Sequence, residues 1–320
     1  MPPGRKSSGC GGGGARRRSQ RRRRCAKTAA SRPHSGWLPF ESADVTTMSD
    51  PPDPADASTA VDPPAVKPNA AHLASPSYRL PALDQDFLLG DSTRGVRFLL
   101  EYAKAEEALR AWGVRSTIVV FGSARVGEAG DGHHAGWYAA ARAFGRIASL
   151  EGGALAHEGG QRDNVVATGG GPGIMEAVSR GARDVGAPSI GFNISLPHEQ
   201  EPNPFTTPEL TFRFHYFAMR KMHLAMRANA LVVFPGGFGT LDELFEILTL
   251  RQSGKAPAIP IVLYDAAYWN AVIDFQTLVA ERMIDPDDLA LFDFAESAEA
   301  IWATLVRRGL PTPDHGHVGA

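Results

Sequence analysis

The stretch VVFPGGFGTLDELFEI, Val232 to Ile247, decides the fold. An apolar, strand-like run stops at Pro235-Gly236-Gly237, and after one aromatic come Gly239 and Thr240. An acidic, leucine-rich, helix-like segment follows, with Asp242 and Glu243 in its first turn. Glycine lets a backbone approach an anion closely and take up positive φ. The N-terminus of the following helix offers unpaired N–H groups and the positive end of its dipole. Strand, glycine loop and helix together form a phosphate cradle.

The same alternation runs outward in both directions. TIVVF (117–121) reads as a buried strand that opens into a Gly-Ser loop, and a helix follows over about Gly136 to Glu151. NVVATGGGPGIMEAVSRGARDVG (164–186) is another strand, glycine loop and helix. SIGFNIS (189–195) and TFRFHYF (211–217) read as strands, FAMRKMHLAMRANA (217–230) as a helix, and IPIVLYD (259–265) as a strand. Helices are predicted for YWNAVIDFQTLVAERM (268–283) and SAEAIWATLVRRG (297–309). Continuously apolar strands alternating with helices predict one α/β domain over 84–310, a doubly wound parallel sheet covered on both faces. An extra helix, with apolar positions at Val96, Leu99, Leu100, Ala103 and Leu109, precedes it.

The 320 residues suffice for a sizeable core, and no window is apolar enough to predict a membrane helix. Cys10 and Cys25 both fall near the N-terminus, so no disulfide framework or cysteine metal site is expected in the folded part, and a cytoplasmic location is. Lys and Arg outnumber acids eleven to two over 1–47, which includes RRRSQRRRR, while the remainder is acidic. Such a run suits nucleic acid or targeting. The simpler reading is a start extended beyond Met48, where MSDPPDPADAS begins, or a tail without function. Residues 1–81 (basic to 47, Pro- and Ala-rich after it) and 311–320 are expected to be disordered.

Three strand ends open into small-residue loops: FGSAR (121–125), TGGGPGIMEA (168–177) and PGGFGTLDE (235–243). Open α/β sheets bind ligands at this edge. Neither glycine loop is a P-loop or a G-x-G-x-x-G fingerprint, which disfavours an ATPase or an ordinary NAD enzyme. Lys221 and Arg227, taken singly, read as a solvated basic face, whereas the helix bearing Arg220 leads straight into the PGG strand. Acids in a first turn favour the helix dipole, which accounts for Asp242. A carboxylate beside a phosphate cradle repels the ligand, so Glu243 is given a different role, in chemistry on the sugar attached to the phosphate. His157, His198, His215 and His223 show no ligand spacing and are expected at the surface or as satisfied core residues; no metal or cofactor is expected.

PGGFGTLDE resembles the PGGxGTxxE signature of the Lonely-guy (LOG) family of phosphoribohydrolases, and Arg220-Lys221 resembles that family's Arg-Lys pair. TGGGPGIMEA and FGSAR resemble its other two loops, and the likeness runs from about Ser116 to Arg308. The resemblance implies a Rossmann-like homodimer that hydrolyses the N-glycosidic bond of a nucleoside 5′-monophosphate. The longer GGGPGIMEA loop and the extra helix are similar to the larger bacterial subgroup, for which AMP is a candidate substrate beside cytokinin ribotides. In this reading Glu243 stabilises the developing sugar cation or activates water, and Arg220 orients Glu243 or the substrate. Gly170, Gly171, Gly173, Gly236, Gly237, Gly239 and Thr240 hold the 5′-phosphate, with Lys221, Ser123 and Met175 completing the binding set. The alternatives are a non-catalytic nucleotide-binding regulator and a DNA-binding protein using its basic tail. Glu243 argues against the first, and the acidic folded part against the second.

Overall fold

The computed structural model describes residues 67–155, 160–196 and 201–313. Of the segments expected to be disordered, 1–81 and 311–320, residues 1–66 and 314–320 lie outside the described residues, as do His157 and His198. Seven strands form one parallel sheet: β1 Thr117–Phe121, β2 Val165–Thr168, β3 Ser189–Ile194, β4 Thr211–Phe214, β5 Ala228–Val233, β6 Ile261–Tyr264 and β7 Asp293–Ala295. Their order is β4-β3-β2-β1-β5-β6-β7. The helices are α1 Ala70–Ala74, α2 Gln85–Leu89, α3 Arg94–Ala111, α4 His133–Glu151, α5 Ile174–Asp184, α6 Phe217–Met226, α7 Phe238–Gln252, α8 Ala266–Val272, α9 Phe275–Ala280 and α10 Ala298–Arg307.

The chain winds from β1 out to β4, returns to the other side of β1, and continues from β5 to β7. Parallel crossovers are right-handed, so reversing the direction of travel moves the helices to the opposite face. Helix α4 packs on α5 and α10, while α3 packs on α6. The reversal between β1 and β5 is the switch point; Ile118 and Val120 of β1 and Val232 and Val233 of β5 are fully buried. This is the α/β, Rossmann-like doubly wound sheet that the alternation predicts.

Local differences from the sequence reading have local causes. The predicted helix over 217–230 ends at Met226, because β5 takes up Ala228 to pair with Thr117. The helix predicted over 268–283 divides into α8 and α9. Asp274 accepts from Thr277 N and Oγ1 and starts α9 afresh. Strand β7 is three residues long, too short to show a period, and pairs with β6 at the sheet edge. Residues 67–83 include α1 and two 3-10 turns, at Pro76–Tyr78 and Pro81–Leu83, none with a buried residue.

The extra helix α3 grips α6 along its length. The Glu101 carboxylate accepts from His215 N at 2.8 Å and Tyr216 N at 3.3 Å, where the N-terminal amides of α6 begin. The ring of the next residue, Tyr102, stacks on His223 at 5.4 Å. At the other end Glu106 pairs with Arg227 at 2.7 Å. Arg227 is therefore not the solvated cation read from the sequence, because α3 covers it. His223 is a core residue but not a satisfied one: neither ring nitrogen has a hydrogen-bond partner among the described residues. Burial and the neighbouring Arg227 lower its pKa, and its ring lies among those of Tyr102, Phe192 and Phe214.

Burial alone would raise the pKa of Glu106, but hydrogen bonds from Arg227 and Arg110 overcome it and the net shift is downward. A carboxylate with a lowered folded pKa contributes stability above its unfolded pKa, and this is lost as pH falls through the folded value. Glu106→Ala leaves Arg227 buried without its partner and is expected to cost about 3 kcal/mol at pH 7. Urea unfolding of both chains checks this, and the difference should shrink as the pH is lowered from 5 towards acid denaturation.

Candidate active site

The loops after β1, β2 and β5 meet at the switch point, and Ser123 stitches them together. Its N–H donates to Pro235 O at 3.0 Å and its carbonyl accepts from Ile174 N at 3.1 Å. Its hydroxyl accepts from Arg125 N at 3.1 Å, within its own turn. Two glycines are required by this crowding. Gly173 has φ 74°, and a Cβ there would run into the Ser123 carbonyl. A Cβ on Gly236 would collide with the Thr240 hydroxyl, which is how Thr240 lies buried directly beneath that loop.

No side chain caps α5 or α7, which begin at Gly173 and Gly237. By contrast α8, α9 and α10 start on Asp265, Asp274 and Ser297 side chains. Uncapped first turns direct unpaired N–H groups outward. Gly237 and Gly239 are exposed at the start of α7. Gly170 and Gly171 are buried, and their carbonyls are tied inward. Gly170 O accepts from Asn203 N at 2.8 Å and Asn193 Nδ2 at 3.2 Å, and Gly171 O accepts from Asn203 Nδ2 at 3.0 Å. The sequence reading missed both asparagines, which lie outside any motif and reach the loop only through the fold.

Glu243 and Arg220 come together as expected. Arg220 Nη2 donates to Glu243 Oε1 at 3.1 Å, and the two side chains are only 14% and 4% exposed. The other side of the guanidinium reaches the β2 loop. Arg220 Nη1 lies 3.6 Å from where a Cβ of Gly169 would stand, and the sulfur of Met175 abuts the same point. The Phe217 ring flanks the guanidinium at 5.3 Å. Burial raises the pKa of Glu243, against the opposing pull of Arg220 and Lys221.

Lys221 is placed differently from its neighbour. Its ammonium bridges Asp242 and Glu246, both at 2.7 Å, and is largely buried. Burial opposes its charge, but the hydrogen bonds to Asp242 and Glu246 prevail and its pKa is raised. Its contacts are with α7 rather than with a glycine loop, so the solvated lysine of the sequence reading is in the structure a strut between α6 and α7. Among the described residues no cluster of His, Cys, Asp and Glu is arranged to hold a metal, and no helix is long and apolar enough to cross a membrane.

The family described as "Possible lysine decarboxylase" matches residues 175–305. A probable cytokinin riboside 5′-monophosphate phosphoribohydrolase of Oryza sativa subsp. japonica is 30% identical over 145 residues, 44% of this chain and 62% of the relative. The chain thus spans less than two thirds of that relative. A probable enzyme of the same description from Arabidopsis thaliana, LOG6, is 30% identical over 143 residues, 44% of this chain and 71% of the relative. The solved molybdenum cofactor binding protein from Rippkaea orientalis aligns at 19% identity and a TM-score of 0.38, over 60% of this chain and 96% of its own. On the strength of the Arabidopsis relative, the chain belongs to the LOG family.

Proposed function

We propose that this chain hydrolyses the N-glycosidic bond of a nucleoside 5′-monophosphate, giving a free base and ribose 5-phosphate. The observation that carries the reading is the buried Arg220–Glu243 pair beside glycine loops that open into uncapped helices. Uncapped N–H groups suit the phosphate. Bound there, the phosphate positions the sugar for reaction, and its binding energy serves catalysis.

The C–N bond breaks with its electron pair going to the base, which takes up a proton. Positive charge develops on the ribose, and a carboxylate held nearby in a site of low dielectric stabilises it. Water then adds at C1′, and Glu243 is suited to accept its proton. Arg220 fixes Glu243, and its charge opposes the upward push of burial on the carboxylate. The substrate base is a cytokinin-type purine or adenine itself.

The chemistry of Lys221 argues against reading the name of the matched family literally. A Schiff-base lysine must be neutral to attack a carbonyl. Lys221 is held as an ammonium by two carboxylates, which is the wrong state for that role. We also propose a cytoplasmic homodimer. Helix α6 is already covered by α3, but Phe238 is 92% exposed at the start of α7, and Phe245 on the same helix is exposed too. A symmetric contact would bury them.

Purified protein is incubated with AMP or a cytokinin ribotide and free base is measured. Glu243→Gln should lower turnover by about a hundredfold to a thousandfold while nucleotide still binds. The acid limb of the wild-type rate should lie above the ordinary carboxylate pKa, because burial favours protonated Glu243 and activity falls as pH drops through that raised value. Arg220→Gln removes the opposing charge, so its acid limb should move to still higher pH. Light scattering at micromolar concentration should give twice the chain mass, and a monomer that turns over substrate would sink the dimer.

A further inference from the structure

We propose that Tyr268, on α8, is a positioning residue of the anion cradle: it holds the Gly236 carbonyl and so aims the Gly237 N–H towards the 5′-phosphate. The identity of the anion rests on the function proposed above. The Tyr268 hydroxyl donates to Gly236 O at 2.7 Å. A trans peptide is planar, so its carbonyl and the next N–H point in opposite directions, and fixing one fixes the other. The peptide in question joins two glycines, the most freely rotating pair a chain can have. On the preceding peptide, Pro235 O is already held by Ser123 N. Tyr268 extends that restraint one residue further, to the N-terminus of α7.

Tyr268 is itself held with unusual care. The residue that starts its helix, Asp265, has φ 72° and ψ 83°, in the left-handed region. Aspartate tolerates this better than most residues, but such conformations persist only where the surroundings enforce them, and they cluster at functional sites. Three hydrogen bonds enforce this one. Trp137 Nε1, on α4, donates to Asp265 Oδ2 at 2.8 Å; Asp265 Oδ1 accepts from Tyr268 N at 2.9 Å; and Asp265 N donates to Ala295 O at 3.0 Å. The Trp137 ring also meets the Tyr268 ring edge-on at 5.5 Å. Elements from both faces of the sheet and from its edge thus converge to place one hydroxyl on one carbonyl.

The β2 loop follows the same rule with different side chains. Asn193 and Asn203 draw the Gly170 and Gly171 carbonyls inward. In both loops carbonyl oxygens, which would repel an anion, are occupied by protein donors. Tyr268 serves the β5 loop as the two asparagines serve the β2 loop.

The test is Tyr268→Phe in the full chain, which keeps the ring contact with Trp137 and removes only the hydroxyl. Expected are a rise of about tenfold in KM for AMP and a matching loss of inorganic phosphate affinity by calorimetry, the scale of one well-placed hydrogen bond. Expected too is an unchanged melting temperature. Trp137→Phe, which removes the donor to Asp265, should shift KM in the same direction by less. An unchanged KM and phosphate affinity in Tyr268→Phe would overturn the proposal, as would a fall in melting temperature with KM unmoved, the mark of a structural role. If Tyr268→Phe does not fold, Trp137→Phe decides by the same readouts. Should the wild-type chain bind phosphate but release no base from any nucleotide, the hydrolase reading fails, while the phosphate titrations still judge Tyr268. No phosphate binding by the wild-type chain would overturn both.

Discussion

An arginine and a glutamate share a nearly dry space between two helices, and much of the molecule serves to hold them there. Taking both charges out of water costs several kcal/mol per ion, and the attraction between them offsets this only where the geometry is fixed. Helix α6 carries Arg220 and is held at its start by Glu101 and at its end by Glu106. Helix α7 carries Glu243 and follows β5, the neighbour of the central strand β1. Lys221 adds a cross-strut from α6 to Asp242 and Glu246. The extra helix α3 is thus part of the apparatus that sets the distance between the two charged groups.

The pair sits where it does because of the winding. Reversal of the strand order between β1 and β5 lets their loops diverge and leaves a crevice at the carboxyl edge. Ser123 spans it with backbone hydrogen bonds alone. The helices on either side start on glycine without side-chain caps, which leaves their first turns open at a cost of only a few tenths of a kcal/mol each. Rigidity is restored from outside, by asparagines on one side and a tyrosine on the other.

The two basic side chains of α6 meet different acids. Arg220 faces a carboxylate whose pKa is pushed up by burial, against the pull of the guanidinium itself. Lys221, one residue on, faces two acids and is locked as a cation. Adjacent residues on a helix point about 100° apart, so one turns to the reacting groups and the other to the flank of α7.

The sequence by itself determined the parallel α/β sheet, the three loops, the extra helix, and the two charged residues that meet. Apolar strand runs and glycine punctuation are local signals, and PGGFGTLDE together with Arg220 carries its chemistry in residue type and spacing. Tertiary structure decided what depends on neighbours far along the chain. Arg227 is buried only because α3 folds over it, and Lys221 is a strut only because α7 presents two acids to it. Asn193, Asn203 and Tyr268 belong to no motif, and each acquires its part from a carbonyl 23, 32 and 32 residues away in the chain. A single hydrogen bond between distant residues leaves no periodicity and no composition behind it, so only the folded chain shows it.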